Sequence, residues 1–277
     1  MEYTEVDIRL KEVNPYSDIL VARLNEIEFE SYSEYECGLK GYVKTQLLDQ
    51  DALENILSEI SERTEISFTI QKLKKQNWNA HWESNYQPVF INENCVIRAE
   101  FHNAIPEIAC EIIITPKMSF GTGHHPTTSL VMNAMFDLEF KGKSVLDVGF
   151  GTGILSILAS ILGASNLVGV DVDNWAFENA QENALLNNIS DIHFVHGDIS
   201  SVINKKYDVI LANINRNTIL NDLKSYVEVM YESADIILSG FLTEDVPVIL
   251  KESAKFGLEL IVSKNKEKWQ MLHLRRV

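Results

Sequence analysis

The chain has 277 residues, of which 45% are apolar and 23% charged, a composition typical of a folded globular protein with a sizeable core. Its formal net charge of −16 disfavours direct nucleic acid binding and favours basic partners, although an acidic surface can also serve solubility alone. Because no apolar stretch is long enough to span a bilayer and the three cysteines form no C-x-x-C pair, we expect a cytoplasmic protein without a membrane anchor or zinc site.

Residues 1–72 alternate between strand and helix signals in the order βαββαβ. Strands are predicted at residues 3–10, 30–36, 40–48 and 65–73, and helices at residues 17–27 and 49–60. Ser17 is the expected N-cap of the first helix. This order is that of the ferredoxin-like unit. Because the segment has no glycine-rich loop and no cluster of His and Asp, we predict a small α+β domain for substrate recognition.

Residues 73–92 have the composition of a linker. Trp78 and Trp82 are four residues apart and could share one helical face, where packing against a domain is the favoured interpretation. Pro88 would end any such helix.

Residues 93–277 have the pattern of a second, larger domain. Apolar strand candidates alternate with amphipathic helices, which predicts a mostly parallel sheet with helices on both faces. The last two strand candidates flank the turn "KNKE" (264–267) and predict an antiparallel hairpin at the sheet edge.

The stretch "LDVGFGTGILS" (146–156) joins a buried strand to a helix through a glycine-rich turn, where Gly149 and Gly151 are candidate ligand contacts. A P-loop is excluded because no Lys follows Gly153, and Ile154 replaces the last glycine of the dinucleotide motif G-x-G-x-x-G. Asp171, 22 residues after Gly149 (171 − 149), suits the ribose of any adenosine-containing cofactor. The spacing, the acidic residue and the hairpin together favour S-adenosylmethionine in a seven-stranded methyltransferase sheet.

Two further strand ends place polar groups at the same edge. Asp198 follows one strand and either accepts a hydrogen bond from an adenine amine or caps the next turn. Asn213 ends another, where its amide oxygen could accept a hydrogen bond from an attacking amine and orient the lone pair. The adjacent His124 and His125 have no carboxylate partner nearby in the sequence, so no metal site is expected.

The stretch "MSFGTGHHPTTSL" (118–130), with "DVGFGTGILSI", "GVDVD" and "LANI", resembles the ribosomal protein L11 methyltransferase family. The resemblance implies an enzyme that methylates the N-terminal α-amine and lysine side chains of L11, with a substrate-binding N-terminal domain. It implies cofactor contacts at Thr128, Gly149, Asp171 and Asn213, and a wall near the methyl group formed by Phe120 and the backbone from Gly121 to Gly123.

His125 matches the family histidine and could order this loop or accept a proton. Asn215 and Arg216 replace the apolar residues of the family, so we expect differences in the substrate pocket there.

Three alternatives remain at this point. The chain could methylate another protein or a small-molecule amine, or bind the cofactor without transferring its methyl group. A nicotinamide oxidoreductase is disfavoured by Ile154. A monomer is expected, although no residue indicates it.

Overall fold

A computed structural model describes residues 2–73, 86–117 and 121–277. The chain divides into two compact units, Met1–Tyr86 and Gln87–Val277, each with its own core. Trp78, Trp82 and Phe120 lie outside the described residues. Within the described ranges, no helix has both the length and the apolarity needed to cross a membrane.

The N-terminal unit is one antiparallel sheet with two helices. Its elements are β1 (Tyr3–Leu10), α1 (Tyr16–Asn25), β2 (Phe29–Tyr35), β3 (Gly38–Lys44), α2 (Gln50–Ser61) and β4 (Ile66–Lys72). The strand order is β2-β3-β1-β4. Alternation along β1 buries Val6 and Ile8, which pack in one cluster with apolar residues of both helices.

Helix α1 begins earlier than the sequence suggested. Ser17 was the expected N-cap, but that prediction is wrong: Pro15 occupies the cap position and Ser17 lies in the first turn, with its N–H donating to Val13 O at 2.7 Å. Pro15 itself is outside the helical region, with φ −94° and ψ 10°, and Tyr16 is the first helical residue. In α2, by contrast, Asp49 accepts the N–H of Ala52 and caps the helix.

The larger unit begins with a small three-stranded sheet. It consists of β5 (Val89–Asn92), β6 (Cys95–Ala99) and β7 (Cys110–Ile114). Strands β6 and β7 run parallel, and β5 is antiparallel to β6. The predicted linker over residues 73–92 therefore ends in a strand of this unit.

The remaining elements form the large α/β sheet and its helices. They are α3 (Pro126–Phe136), β8 (Ser144–Val148), α4 (Ile154–Ile161), β9 (Asn166–Asp171), α5 (Asn174–Leu186), β10 (Ile192–His196), β11 (Tyr207–Asn213), α6 (Arg216–Glu228), β12 (Met230–Leu242), α7 (Val246–Ala254), β13 (Leu258–Lys266) and β14 (Trp269–Arg276). The seven strands are ordered β10-β9-β8-β11-β12-β14-β13. The five strands β8 to β12 pair in parallel, whereas β14 is antiparallel to both of its neighbours. The predicted doubly covered sheet with a terminal hairpin is confirmed.

Both faces of this sheet are buried, as near-continuous apolar strands require. Val145 packs with α3, α4 and α5 in one cluster, while its neighbour Leu146 packs with α6 and α7 in the other. From β8 the chain adds β9 and β10 on one side. It then crosses back and adds β11 on the other side of β8, so the direction in which strands are added reverses between β8 and β11. Open α/β sheets bind ligands at such a switch point, beyond the carboxyl ends of the strands.

Candidate active site

The glycine turn between β8 and α4 forms the floor of the site. Gly149, Gly151 and Gly153 have φ of 71°, 53° and 77°, a region that residues with side chains rarely adopt. At Gly149 a Cβ atom would also lie 2.3 Å from Cγ2 of Ile214. The turn therefore brings its backbone close to the switch point with no side chain in between at these positions.

Asp171 ends β9, the strand next to β8, and faces this turn. Its Oδ2 accepts the N–H of Gly151 at 2.9 Å, and its Oδ1 accepts the N–H of Asp173 at 3.0 Å. Each carboxylate oxygen can accept more than one hydrogen bond. The side chain is thus held in place by the backbone and can still accept from the hydroxyl groups of a ligand.

Asn213 ends β11, on the other side of β8, and lines the same cavity. Its Oδ1 is buried and has no hydrogen-bond partner among the described residues. Buried polar atoms are normally paired, so an unpaired amide oxygen at a cavity wall indicates a partner that arrives with a ligand.

Asp198 follows β10 and fills one of the two roles that the sequence left open, the cap of the next turn. Its Oδ1 accepts the N–H of Ser200 at 2.9 Å and the hydroxyl of Ser200 at 2.5 Å, which caps the short 3₁₀ turn Ile199–Val202. The side-chain hydrogen bond from Ser200 lowers the pKa of the Asp198 carboxyl, so the group is ionised at neutral pH. It also lines the cavity.

The loop before α3 forms another wall. The carbonyl of Gly121 accepts the hydroxyl of Thr152 at 2.7 Å, and Thr128 is buried in the first turn of α3. His125 is the N-cap of α3: its Nδ1 accepts the N–H of Thr127 at 3.4 Å. The ring of His125 packs edge-on against Trp269, with centroids 4.5 Å apart.

The environment of His125 keeps its ring neutral. Burial lowers the pKa of this histidine. The Nδ1 atom lies 2.7 Å from the hydroxyl oxygen and 3.4 Å from the backbone nitrogen of Thr127, so both contacts tie the ring to the first turn of α3. This arrangement suits loop ordering better than proton transfer.

These groups enclose one cavity of about 530 Å³, within the range of cofactor sites. Its wall includes eight residues that the sequence analysis singled out: Gly121, His125, Thr128, Gly149, Gly151, Asp171, Asp198 and Asn213. Gly123, predicted to contribute backbone to the wall near the methyl group, does not line this cavity. Phe120 lies outside the described residues.

The cavity wall is acidic. Asp171, Asp173, Asp198 and Asp222 all contribute to it. Burial, then the nearby Asp198, raises the pKa of the Asp222 carboxyl. A cationic ligand would be stabilised here, and the positive sulfonium and ammonium of S-adenosylmethionine fit this requirement.

The sequence analysis missed several residues of the site. Trp269 and Thr218 join the wall from β14 and α6, far along the chain from the glycine turn. Asp147, which lies in β8 and does not line the cavity, is fully buried and accepts the N–H and hydroxyl of Ser156 at 3.1 and 2.7 Å. For Asp147, the signal in the sequence was a charged residue inside an otherwise apolar strand. Nothing in the sequence around Trp269 indicated that it lies at the cavity.

Asn215 and Arg216, the departures from the family pattern, have structural partners. The Oδ1 of Asn215 accepts the N–H of Thr218 at 3.0 Å and caps α6. The guanidinium of Arg216 forms an ion pair with Asp245 at 2.6 Å. Asn215 lines the cavity, whereas Arg216 is paired beside it.

The parallel sheet with its antiparallel β14, the glycine turn after β8, the carboxylate after β9 and the amide after β11 define a class I methyltransferase that uses S-adenosylmethionine. The model of the family "Ribosomal protein L11 methyltransferase (PrmA)" matches residues 10–277. The chain belongs to the ribosomal protein L11 methyltransferase family.

Individual relatives agree with this assignment. The chain is 43% identical to the ribosomal protein L11 methyltransferase of Bacteroides thetaiotaomicron, over 91% of each chain. It is 39% identical to that of Phocaeicola vulgatus, over 97% of each. A crystal structure of ribosomal protein L11 methylase from Lactobacillus delbrueckii subsp. bulgaricus has a TM-score of 0.65 and 27% identity, and covers 69% of this chain and 100% of its own.

Proposed function

We propose that this protein methylates amino groups of ribosomal protein L11, namely the N-terminal α-amine and lysine side chains. Family membership supports the reaction class and the substrate. The observation that carries the proposal in the structure is the buried amide oxygen of Asn213 at the cavity wall, which has no hydrogen-bond partner in the part of the chain that the structure describes. An amine entering the cavity would supply the missing N–H donor.

The residues of the cavity fit S-adenosylmethionine, which when bound supplies a methyl group activated by a positive sulfonium. Asp171 would hold the ribose hydroxyls, since its carboxylate is fixed by two backbone N–H groups. Asp198 would accept from the adenine amine, and the backbone at Gly149 and Gly151 allows close approach. Thr128 would contact the cofactor from α3.

The substrate amine must lose its proton before it can act as a nucleophile. A free lysine has a pKa near ~10.4 and an α-amine one near ~8, so the N-terminus is the easier target. Desolvation inside the cavity lowers the pKa of an amine. Asn213 would accept one N–H and so orient the lone pair, and catalysis would depend on positioning and desolvation.

The proton released by the amine goes to solvent in this proposal. His125 is the alternative acceptor, but its Nδ1 already accepts the N–H of Thr127. We assign His125 to ordering the loop before α3, through its cap of that helix and its contact with Trp269.

The remaining assignments follow from the family and the charge. The N-terminal unit, predicted over residues 1–72, would recognise the protein substrate, with residues 73–92 as the linker and 93–277 as the catalytic domain. The net charge of −16 suits a basic substrate and disfavours nucleic acid. We propose that the protein acts as a monomer in the cytoplasm.

Label transfer tests this function directly. The purified protein is incubated with methyl-labelled S-adenosylmethionine and unmodified L11, and the labelled amines are mapped by mass spectrometry. We expect label on the α-amine and lysines of L11, and a decrease of about 10²-fold in kcat for Asn213→Ala, because a misplaced nucleophile reacts much more slowly.

Asn166→Ala is the matched control, since Asn166 is exposed at the opposite end of β9 from the cavity. Cofactor binding without label on L11 would exclude this substrate and favour another protein or a small-molecule amine. Cofactor binding without transfer to any acceptor would favour a non-catalytic binding module. Label on L11 that is equally fast in Asn213→Ala would keep the substrate but remove the role of Asn213.

A further inference from the structure

Asparagines stand at every fourth position along one face of α5 and at its C-cap, namely Asn179, Asn183 and Asn187. All three bind backbone of β7 or the residue after it. Asn187 accepts the N–H of Ile113 at 2.8 Å and donates to its carbonyl at 2.6 Å. Asn179 donates to the carbonyl of Thr115 at 3.3 Å. The helix thus satisfies backbone groups of β7 much as a neighbouring strand would.

Asn183 differs from Asn187 because its two bonds go to separate segments. Its Oδ1 accepts the N–H of Thr115 at 2.8 Å, while its Nδ2 donates to the carbonyl of Thr152 at 2.8 Å. Thr152 lies in the glycine turn, and both side chains are fully buried. A primary amide can accept and donate at once, so asparagine suits a bridge between two backbones.

A third bond completes the arrangement. The hydroxyl of Thr152 donates to the carbonyl of Gly121 at 2.7 Å. Gly121 has a φ of 101°, and a Cβ atom there would lie 2.8 Å from the Thr152 hydroxyl oxygen, so glycine permits this approach. Gly121 is thus tied to Thr152 directly, and Thr115 is tied to it through Asn183.

We propose that Asn183 is a positioning residue which, with Thr152, holds the loop from Gly121 to Thr128 against the glycine turn before the cofactor binds. Gly121, His125 and Thr128 of this loop line the cavity, and so does the glycine turn on the other side. A preformed wall reduces the ordering that binding would otherwise require, which strengthens affinity. The inference rests on the proposed function only in taking S-adenosylmethionine as the ligand of the cavity.

The structure offers a matched control for this role. Asn183→Ala removes two hydrogen bonds to backbone groups. Asn187→Ala removes three, one of them to the carbonyl of Asn183, so both variants should lower the unfolding midpoint. Only Asn183→Ala cuts the link to Thr152. We expect it to raise the Kd for S-adenosylhomocysteine by roughly three- to tenfold, the equivalent of about one net hydrogen bond, and Asn187→Ala to leave this Kd unchanged.

Two measurements on the full-length protein decide the matter. Calorimetry gives the Kd for S-adenosylhomocysteine, and hydrogen exchange without ligand reports the protection of the amides at Gly121 and Gly123. Thr152→Val, a nearly isosteric change that removes only the hydroxyl, is a second variant that stays informative if Asn183→Ala does not fold. We expect faster exchange and weaker binding in both variants.

Unchanged exchange and affinity in Thr152→Val, or equal effects of Asn183→Ala and Asn187→Ala on affinity, would overturn the inference. These outcomes are separable from failure of the proposed function. If the wild-type protein binds S-adenosylhomocysteine but does not label L11, the proposed substrate is wrong. The exchange and affinity comparisons still test the positioning role in that case.

Discussion

Asp147 shows how a single residue can make stability depend on pH. It is 1% exposed in the middle of β8, and burial raises the pKa of its carboxyl to about 7, against the hydrogen bonds from Ser156 that lower it. The second carboxylate oxygen has no hydrogen-bond partner within the described part of the chain. In the unfolded chain the same group titrates near ~3.9.

The sign of the pH effect follows from this difference. Between about pH 4 and 7 the folded state keeps a proton that the unfolded state releases, so the stabilisation present below pH 4 is lost as pH rises through 7. The full effect of a shift of this size is on the order of 4 kcal/mol. We expect Asp147→Asn, which keeps an acceptor for Ser156 without the charge, to lose less stability than the wild type between pH 5 and 8.

Urea denaturation across this pH range measures the effect. Asp208→Asn is the control, because Asp208 makes the same pair of bonds to the N–H and hydroxyl of Ser144 but is only partly buried. Parallel pH profiles of the wild type and Asp147→Asn would show that the buried carboxyl does not titrate as described.

At the residue scale, the sequence predicts those site residues that directly follow a strand. Asp171 and Asn213 follow apolar runs, and parallel strands bring their carboxyl ends to one edge, so their shared cavity could be predicted. Asn183 and Thr152 could not, because their partners lie 68 and 31 residues away along the chain and the contacts exist only in the folded protein. Trp269 lies at the cavity because β14 pairs with β12, and the sequence does not indicate this strand order.

At the element scale, boundaries were predictable where a local signal acts. Helix α5 begins at Asn174 because Asp173 caps it by accepting the N–H of Trp175, and an aspartate before an amphipathic run is a signal that the sequence itself carries. The hairpin turn lies at Glu267 and Lys268, two residues later than the centre of "KNKE", with Glu267 at a φ of 56°. Pairing of β13 with β14 sets that register, and no residue of the turn predicts it.

The cap of α6 gives a prediction at this scale. Asn215 accepts the N–H of Thr218, and replacing such a cap with alanine typically reduces stability by about 1 kcal/mol. We therefore expect Asn215→Ala to lower the free energy of unfolding by about this amount in urea denaturation at pH 7. Asn215→Ser retains a capping oxygen and should recover most of the loss. Equal losses in the two variants would mean that Asn215 stabilises α6 by something other than its cap.

At the scale of the whole molecule, charge connects the sequence to the proposed substrate. The chain has 40 acidic and 24 basic residues, and the cavity wall carries four carboxylates. A basic protein would be attracted over roughly a Debye length, which is about 10 Å at 0.1 M salt and about 3 Å at 1 M. We therefore expect the field of the whole surface to contribute to capture of L11, whereas cofactor binding should depend mainly on contacts inside the cavity.

Salt should therefore weaken the binding of L11 much more than the binding of the cofactor. Raising KCl from about 50 mM to about 500 mM is expected to increase the KM for L11 by about tenfold, because screening weakens long-range attraction between exposed charges. The Kd for S-adenosylhomocysteine should change by less than about twofold, since pairs inside a cavity are screened less. Initial rates at saturating S-adenosylmethionine, with calorimetry in the same buffers, measure both quantities. If the KM for L11 were constant or fell with salt, recognition would depend on apolar contacts, and the acidic surface would serve solubility alone.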